Sequence, residues 1–121
     1  MIQFTKEERK ELKKRAARQP EVVARLKENV REVMERPVLV PKEGIANWTL
    51  YYYCPKCSVQ LEFDWDGERS HRCPACGIVY SGEPYDSAWW GLVNSRNYNA
   101  AHEMGLIYAA TGEKVYAQKS V

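Results

Sequence analysis

The chain has 121 residues, of which 45% are hydrophobic and 28% charged, and a net charge of +2. That profile suits an ordinary globular protein of one compact domain or two small ones. No stretch approaches the ~20 apolar residues of a membrane span, and residues 1–10 lack the apolar core of a secretory signal, so the expectation is a cytoplasmic chain with reduced thiols and no membrane partner.

The first elements are helical. Thr5-Lys6-Glu7-Glu8 reads as a capping box, with Thr5 as N-cap and Glu8 at the third helical position. This helix is expected to run to about residue 18. Pro20 suits the first turn of a second helix reaching residue 36, with Val22, Leu26, Val30 and Val33 on one face at helical spacing. Pro37 stops it. Residues 1–36 hold 11 Lys and Arg against 7 Glu, whereas 37–121 hold 7 basic against 9 acidic residues. Basic surface therefore belongs to the first two helices, where interleaved Glu7, Glu8 and Glu11 make a solvated face the simpler reading.

The middle of the chain reads as β-structure. Residues 37–47, with Pro41 and Gly44, form an extended connector, and the aromatic, β-branched run 48–53 predicts a strand. Val59, Leu61, Phe63 and Trp65 then alternate with Gln60, Glu62, Asp64 and Asp66, the period-two pattern of a half-buried strand. Asp66-Gly67 predicts a hairpin turn, with a return strand over 68–72 and a further extended segment over 78–80.

Helical grammar returns at Pro84-Tyr85-Asp86, with Asp86 or Ser87 as the expected N-cap. Val93, Asn97, Ala100, Met104 and Ile107 share one stripe of a helix running to Thr111. Thr111-Gly112 is a stop signal, and residues 113–117 begin another helix.

The chemistry of the chain is concentrated in its four cysteines. Cys54-Pro55-Lys56-Cys57 and Cys73-Pro74-Ala75-Cys76 are two Cys-x-x-Cys knuckles separated by fifteen residues, a spacing that brings four thiolates around one tetrahedral ion. One structural Zn²⁺ per chain is the expected cofactor. Iron is the alternative, because Cys73-Pro74-Ala75-Cys76-Gly77 resembles a rubredoxin knuckle, although Ser58 replaces the matching glycine after Cys57. A filled shell of four sulfurs leaves no position for an activated water, so this metal is not expected to catalyse. His71 is a substitute ligand only in principle, and its expected place is the hairpin surface. His102 has no visible partner and is expected to be a helix residue without a catalytic role.

Nucleic acid is not the expected partner. Lys56, Arg69 and Arg72 face Glu62, Asp64, Asp66, Glu68 and Glu83 within 50–83, and an ion with four thiolates adds further negative charge where phosphate contact would need the opposite.

From Tyr51-Tyr52-Tyr53-Cys54-Pro55 through Tyr80-Ser81-Gly82-Glu83-Pro84-Tyr85-Asp86, Ala88-Trp89, Leu106-Ile107-Tyr108 and Thr111-Gly112-Glu113-Lys114-Val115-Tyr116-Ala117, the chain resembles the N-terminal part of heparinase II/III-like polysaccharide lyases. The resemblance implies an enzyme family that cleaves uronic-acid glycans by β-elimination, using a helical toroid followed by a β-sheet domain. The family's catalytic residues would lie beyond Val121, none is matched here, and the chain alone is expected to be inactive. Tyr85, Trp89, Trp90, Asn94, Arg96 and Asn97 are candidates for contact with an acidic glycan, against the simpler reading that the aromatics pack the interior.

The expected fold is thus α+β: a helical hairpin (1–37), a four-cysteine zinc-ribbon β unit (38–83) and a truncated helical hairpin (84–121) that starts an α/α toroid. Its unpaired helical faces leave a homo-oligomer possible. The alternative is a stand-alone zinc-ribbon module that binds a protein or nucleic-acid partner.

Overall fold

A computed structural model describes residues 3–42 and 45–120. Gly44 of the expected connector lies outside them. Among the described residues there are four helices, a two-stranded sheet and a cluster of four cysteines. The helices are α1 (Lys6–Arg18), α2 (Pro20–Glu35), α3 (Tyr85–Thr111) and α4 (Lys114–Lys119); the strands are β1 (His71–Arg72) and β2 (Val79–Tyr80). Among the described residues no helix is long and apolar enough to cross a membrane. The chain divides into two units, residues 1–38 with 97–121 and residues 39–96. The N-terminal and C-terminal helices, which the sequence reading separates, therefore share a unit.

In the helical unit, α1 opens on the expected capping box. Thr5 accepts from the Glu8 N–H, and Glu8 accepts from the Thr5 N–H. This helix buries nothing, as expected of an element with charge all around it. Pro20 occupies the first turn of α2. The small core joins Val30 to Ala100, Met104 and Ile107, with Leu26, Val33, Met34 and Tyr116 against it. Val22 is the exception to the expected stripe, at 45% exposed. It sits in the first turn of its helix, a full turn before the buried positions begin. Gly112, at φ +76°, ends α3 with its N–H on Tyr108 O, a left-handed cap that glycine adopts without steric cost. α4 starts just beyond it, where Lys27 Nζ and Glu113 meet at 2.7 Å.

In the β unit, burial alternates along 57–66 as expected, but the strands are not where the alternation predicts. The middle of the unit is residues 60–62. Gln60 bridges Tyr53, Leu61 N–H donates to Tyr52 O, and Glu62 N–H donates to Arg72 O. The expected return strand 68–72 shrinks to His71–Arg72, which pairs with Val79–Tyr80 across the second knuckle. The turn explains this. Asp66 N–H bonds the Asp64 side chain, Gly67 N–H bonds Asp64 O, and Ser70 N–H bonds Gly67 O, so these backbone donors are satisfied without a ladder.

The expected strand 48–53 is also corrected. Residues Thr49–Tyr51 form a 3-10 turn, entered where the Asn47 side chain accepts from Trp48 N–H. The turn buries Tyr52 and leaves Trp48 and Leu50 about 70% exposed (71% and 70%).

The first part of α3 is seated in this unit by Trp89, Ser87 and Asp86 among others. Trp89, 1% exposed, stacks on Phe63 and donates its indole N–H to Asp64 O. Removing an aromatic from such a core costs about 3–5 kcal/mol. Asn47 N–H donates to Ser87 O, and His71 reaches Asp86. The connector passes so close that a Cβ on Gly91 would lie 2.2 Å from Asn47 O.

Gly91→Ala is therefore expected to destabilise the β unit by about 1–3 kcal/mol, the usual cost of overpacking, read from denaturant midpoints. The Lys27–Glu113 pair makes a pH prediction. Glu113 is held below its ordinary 4.5, first by Lys27 and then by Thr111, while Lys27 is held above 10.5 by Glu113. The lowered carboxyl contributes fully above 4.5 and loses its contribution as pH falls through its folded value. The raised amine contributes fully below 10.5 and loses it as pH rises through its folded value. Glu113→Gln should flatten this small dependence in thermal melts without moving the neutral-pH midpoint far, because the pair is well exposed.

Candidate metal centre

Each knuckle is a backbone turn folded around its first cysteine. In the first, Cys54 N–H donates to Val59 O at 2.8 Å and Ser58 N–H to Cys54 O at 2.8 Å. In the second, Cys73 N–H donates to Ile78 O at 2.9 Å and Gly77 N–H to Cys73 O at 3.0 Å. The two turns superpose position by position in their bonding. Both place the residue after the second cysteine in the left-handed region, Ser58 at φ 55° and Gly77 at φ 74°. Glycine is at ease there and serine is not, so the substitution noted in the sequence leaves the turn intact and adds local strain.

The four sulfurs lie within 4.8 Å of one another, and Cys54 Sγ and Cys76 Sγ are 3.9 Å apart. Tetrahedral thiolates at a metal–sulfur distance of ~2.3 Å stand about 3.8 Å apart, whereas a disulfide bond is about 2.05 Å. All four are free cysteines, and the set could hold a metal ion. Cys54 and Cys73 are buried, while Cys57 and Cys76 are partly exposed, so one side of the cluster faces the interior and the other approaches solvent.

The acidities of the thiols diverge. Burial pushes Cys54 up, but hydrogen bonds from the Tyr80 hydroxyl and from the Cys57 and Lys56 amides outweigh it and leave Cys54 lowered to about 6. Cys57 is pushed up to about 12 by its hydrogen bond with Cys76 and by burial, with Cys54 adding to the rise. Four thiols this close cannot all ionise against one another. A divalent cation removes the repulsion and turns the cluster into a ligand set.

Beside the cysteines lies a buried polar chain. His71, expected on the surface, is completely buried. Its Nε2 is 2.8 Å from Asp86 Oδ1 and its Nδ1 is 2.8 Å from the Tyr52 hydroxyl, which also lies 3.0 Å from Glu62 O. Asp86 accepts from Nε2–H, the Tyr52 hydroxyl donates to Glu62 O, and His71 Nδ1 lies within hydrogen-bond distance of that same hydroxyl. Burial, aided by Asp64 and Asp86, raises the Tyr52 phenol to about 12, which keeps that proton in place. With both nitrogens engaged, His71 is not a metal ligand. Partners at each end offset the cost of burying the ring. The sequence carried one part of this: His71 and Tyr52 each stand two residues before a knuckle cysteine, a spacing that turns each inward with it but pairs them neither with each other nor with Asp86. Asp86, expected as an N-cap, is the third member of the chain.

The candidate glycan-contact residues sit in different surroundings. Trp89 is buried, Tyr85 rests against Tyr80 with ring centres 4.9 Å apart, and Trp90 packs edge-on against Trp89. The Arg96 guanidinium covers the Phe63 ring at 4.1 Å. Asn94 is exposed, and Asn97 is half-buried in the helical unit. His102 is exposed on α3. The exposed aromatics of the β unit are instead Trp48, Tyr51 and Tyr53.

The chain matches no protein-family model, no curated protein and no solved structure.

The knuckles differ in one testable respect. Gly77→Ala should lower the stability of the metal-loaded unit by about 1–2 kcal/mol, the penalty for a side chain in the left-handed region. Ser58→Gly removes that same strain while adding backbone entropy to the unfolded chain, so its denaturation midpoint should move little.

Proposed function

We propose that this chain is a non-catalytic module clasped by one structural Zn²⁺. In this reading the β unit is a zinc ribbon, and α3 and α4 are the first hairpin of an α/α toroid. The single observation that carries the proposal is the closed cluster of four sulfurs. Four thiolates complete the tetrahedral shell that zinc prefers and leave no open position on the metal. The need for such a clasp follows from the size of the sheet, two residues per strand, which buries too little to stand alone.

The ordered resemblance to heparinase II/III-like lyases is what supports a carbohydrate setting. There the module would brace the N-terminal side of a larger β-eliminating enzyme, with the proton-abstracting groups elsewhere. The second reading is a zinc module that docks a protein partner, and the exposure of Trp48, Leu50, Tyr51 and Tyr53 on neighbouring positions favours it.

Elemental analysis should give one zinc per chain, and a chelator should abolish the circular-dichroism signal of the β unit, since metal binding and folding are coupled. Cys54→Ser and Cys76→Ser should do the same. A purified chain carrying iron–thiolate absorption would refute zinc. An ultraviolet assay for unsaturated uronate should be blank, and turnover by this chain would overturn the non-catalytic assignment.

A further inference from the structure

The side-chain environment of the sulfur cluster is lopsided. Tyr80 lies on β2, just beyond the second knuckle, and its hydroxyl is 3.2 Å from Cys54 Sγ of the first knuckle. Position by position, the counterpart of Tyr80 after the first knuckle is Leu61, which is buried and has no donor. Cys54 therefore has a hydroxyl within hydrogen-bond distance across the cluster, and Cys73 has none from the matching position. The Tyr80 ring is fixed against Tyr85 at the start of α3, so the hydroxyl is held rather than free to swing.

We propose that Tyr80 is a positioning residue of the metal centre: its hydroxyl donates to Cys54 Sγ and sets how firmly the cluster retains its ion. The inference rests on the four-thiolate metal reading above and deepens it. An M²⁺ ion with four thiolates carries a net charge of −2, and that excess sits on sulfur. A donor aimed at one thiolate drains charge from it and fixes its lone pairs, as partners of metal ligands do generally. Cys54 belongs to the buried half of the cluster. Tyr80 thus stabilises the side that solvent cannot reach, and leaves Cys57 and Cys76 as the pair at which ion exchange begins.

The test uses the full chain with Tyr80→Phe, which keeps the ring and removes only the hydroxyl. Competition with a chromophoric chelator should show zinc affinity reduced about 10–100-fold, the usual effect of deleting such a partner. In the Co²⁺-loaded protein the thiolate-to-metal charge-transfer band should move to longer wavelength, because the unbonded sulfur is richer in electrons. A merely structural role for the ring would move neither. Affinity within twofold of the unsubstituted chain together with an unmoved band overturns the proposal. If Tyr80→Phe does not fold, ¹¹³Cd NMR on the unsubstituted chain decides: coupling to a tyrosine hydroxyl proton supports it, and coupling to amide protons alone overturns it. An unsubstituted chain that binds neither zinc nor cobalt refutes the metal reading itself, an outcome distinct from a bound metal indifferent to Tyr80.

Discussion

The constraint on which the β unit depends is the mutual repulsion of four sulfurs held within 4.8 Å. The two knuckle turns point their cysteines inward through short backbone bonds that any chain of this geometry would make. Those bonds bring the sulfurs together but cannot make them compatible as anions. Against its burial, hydrogen bonds lower Cys54, while the hydrogen bond with Cys76 and burial raise Cys57, so the sulfurs do not ionise alike. A cation held by the cluster would resolve the repulsion. Strands of two residues each gain little from their own ladder, so the electrostatics of the cluster govern the unit more than the sheet does.

The long helix is attached to this unit by groups that were each chosen for another apparent purpose. Asp86 has the look of a helix cap and instead receives the buried imidazole of His71. Trp89 has the look of a ligand platform and instead fills the interior, with its polar edge on Asp64 O. Gly91 has the look of a helix weakness and instead lets the Asn47 carbonyl approach. In each case a polar or steric requirement inside the core explains the residue without reference to a ligand.

Much of the architecture was legible in the chain. The capping box at Thr5, Pro20 at the head of α2, the α3 stripe from Val93 to Ile107 and the Gly112 stop each reflect local physics, and local physics acts wherever the residues occur. The alternation from Val59 to Trp65 correctly separated inside from outside. It did not say which backbone would pair with which. Residues 48–53 read as a strand by composition and 68–72 as the return of a hairpin, yet turn bonds took the donors of Trp48, Tyr51 and Tyr52 in the first and of Ser70 in the second.

By itself the sequence determined the helices, the two knuckles and which four cysteines cluster, because capping, periodicity and Cys-x-x-Cys spacing act over a few residues. Only the tertiary structure decided that His71 is buried between Tyr52 and Asp86, that Tyr80 reaches Cys54, and that both ends of the chain fall in one helical unit. Those outcomes join residues far apart in the chain. Hydrogen-bond satisfaction in a closed interior selects them, and no local spacing encodes that selection.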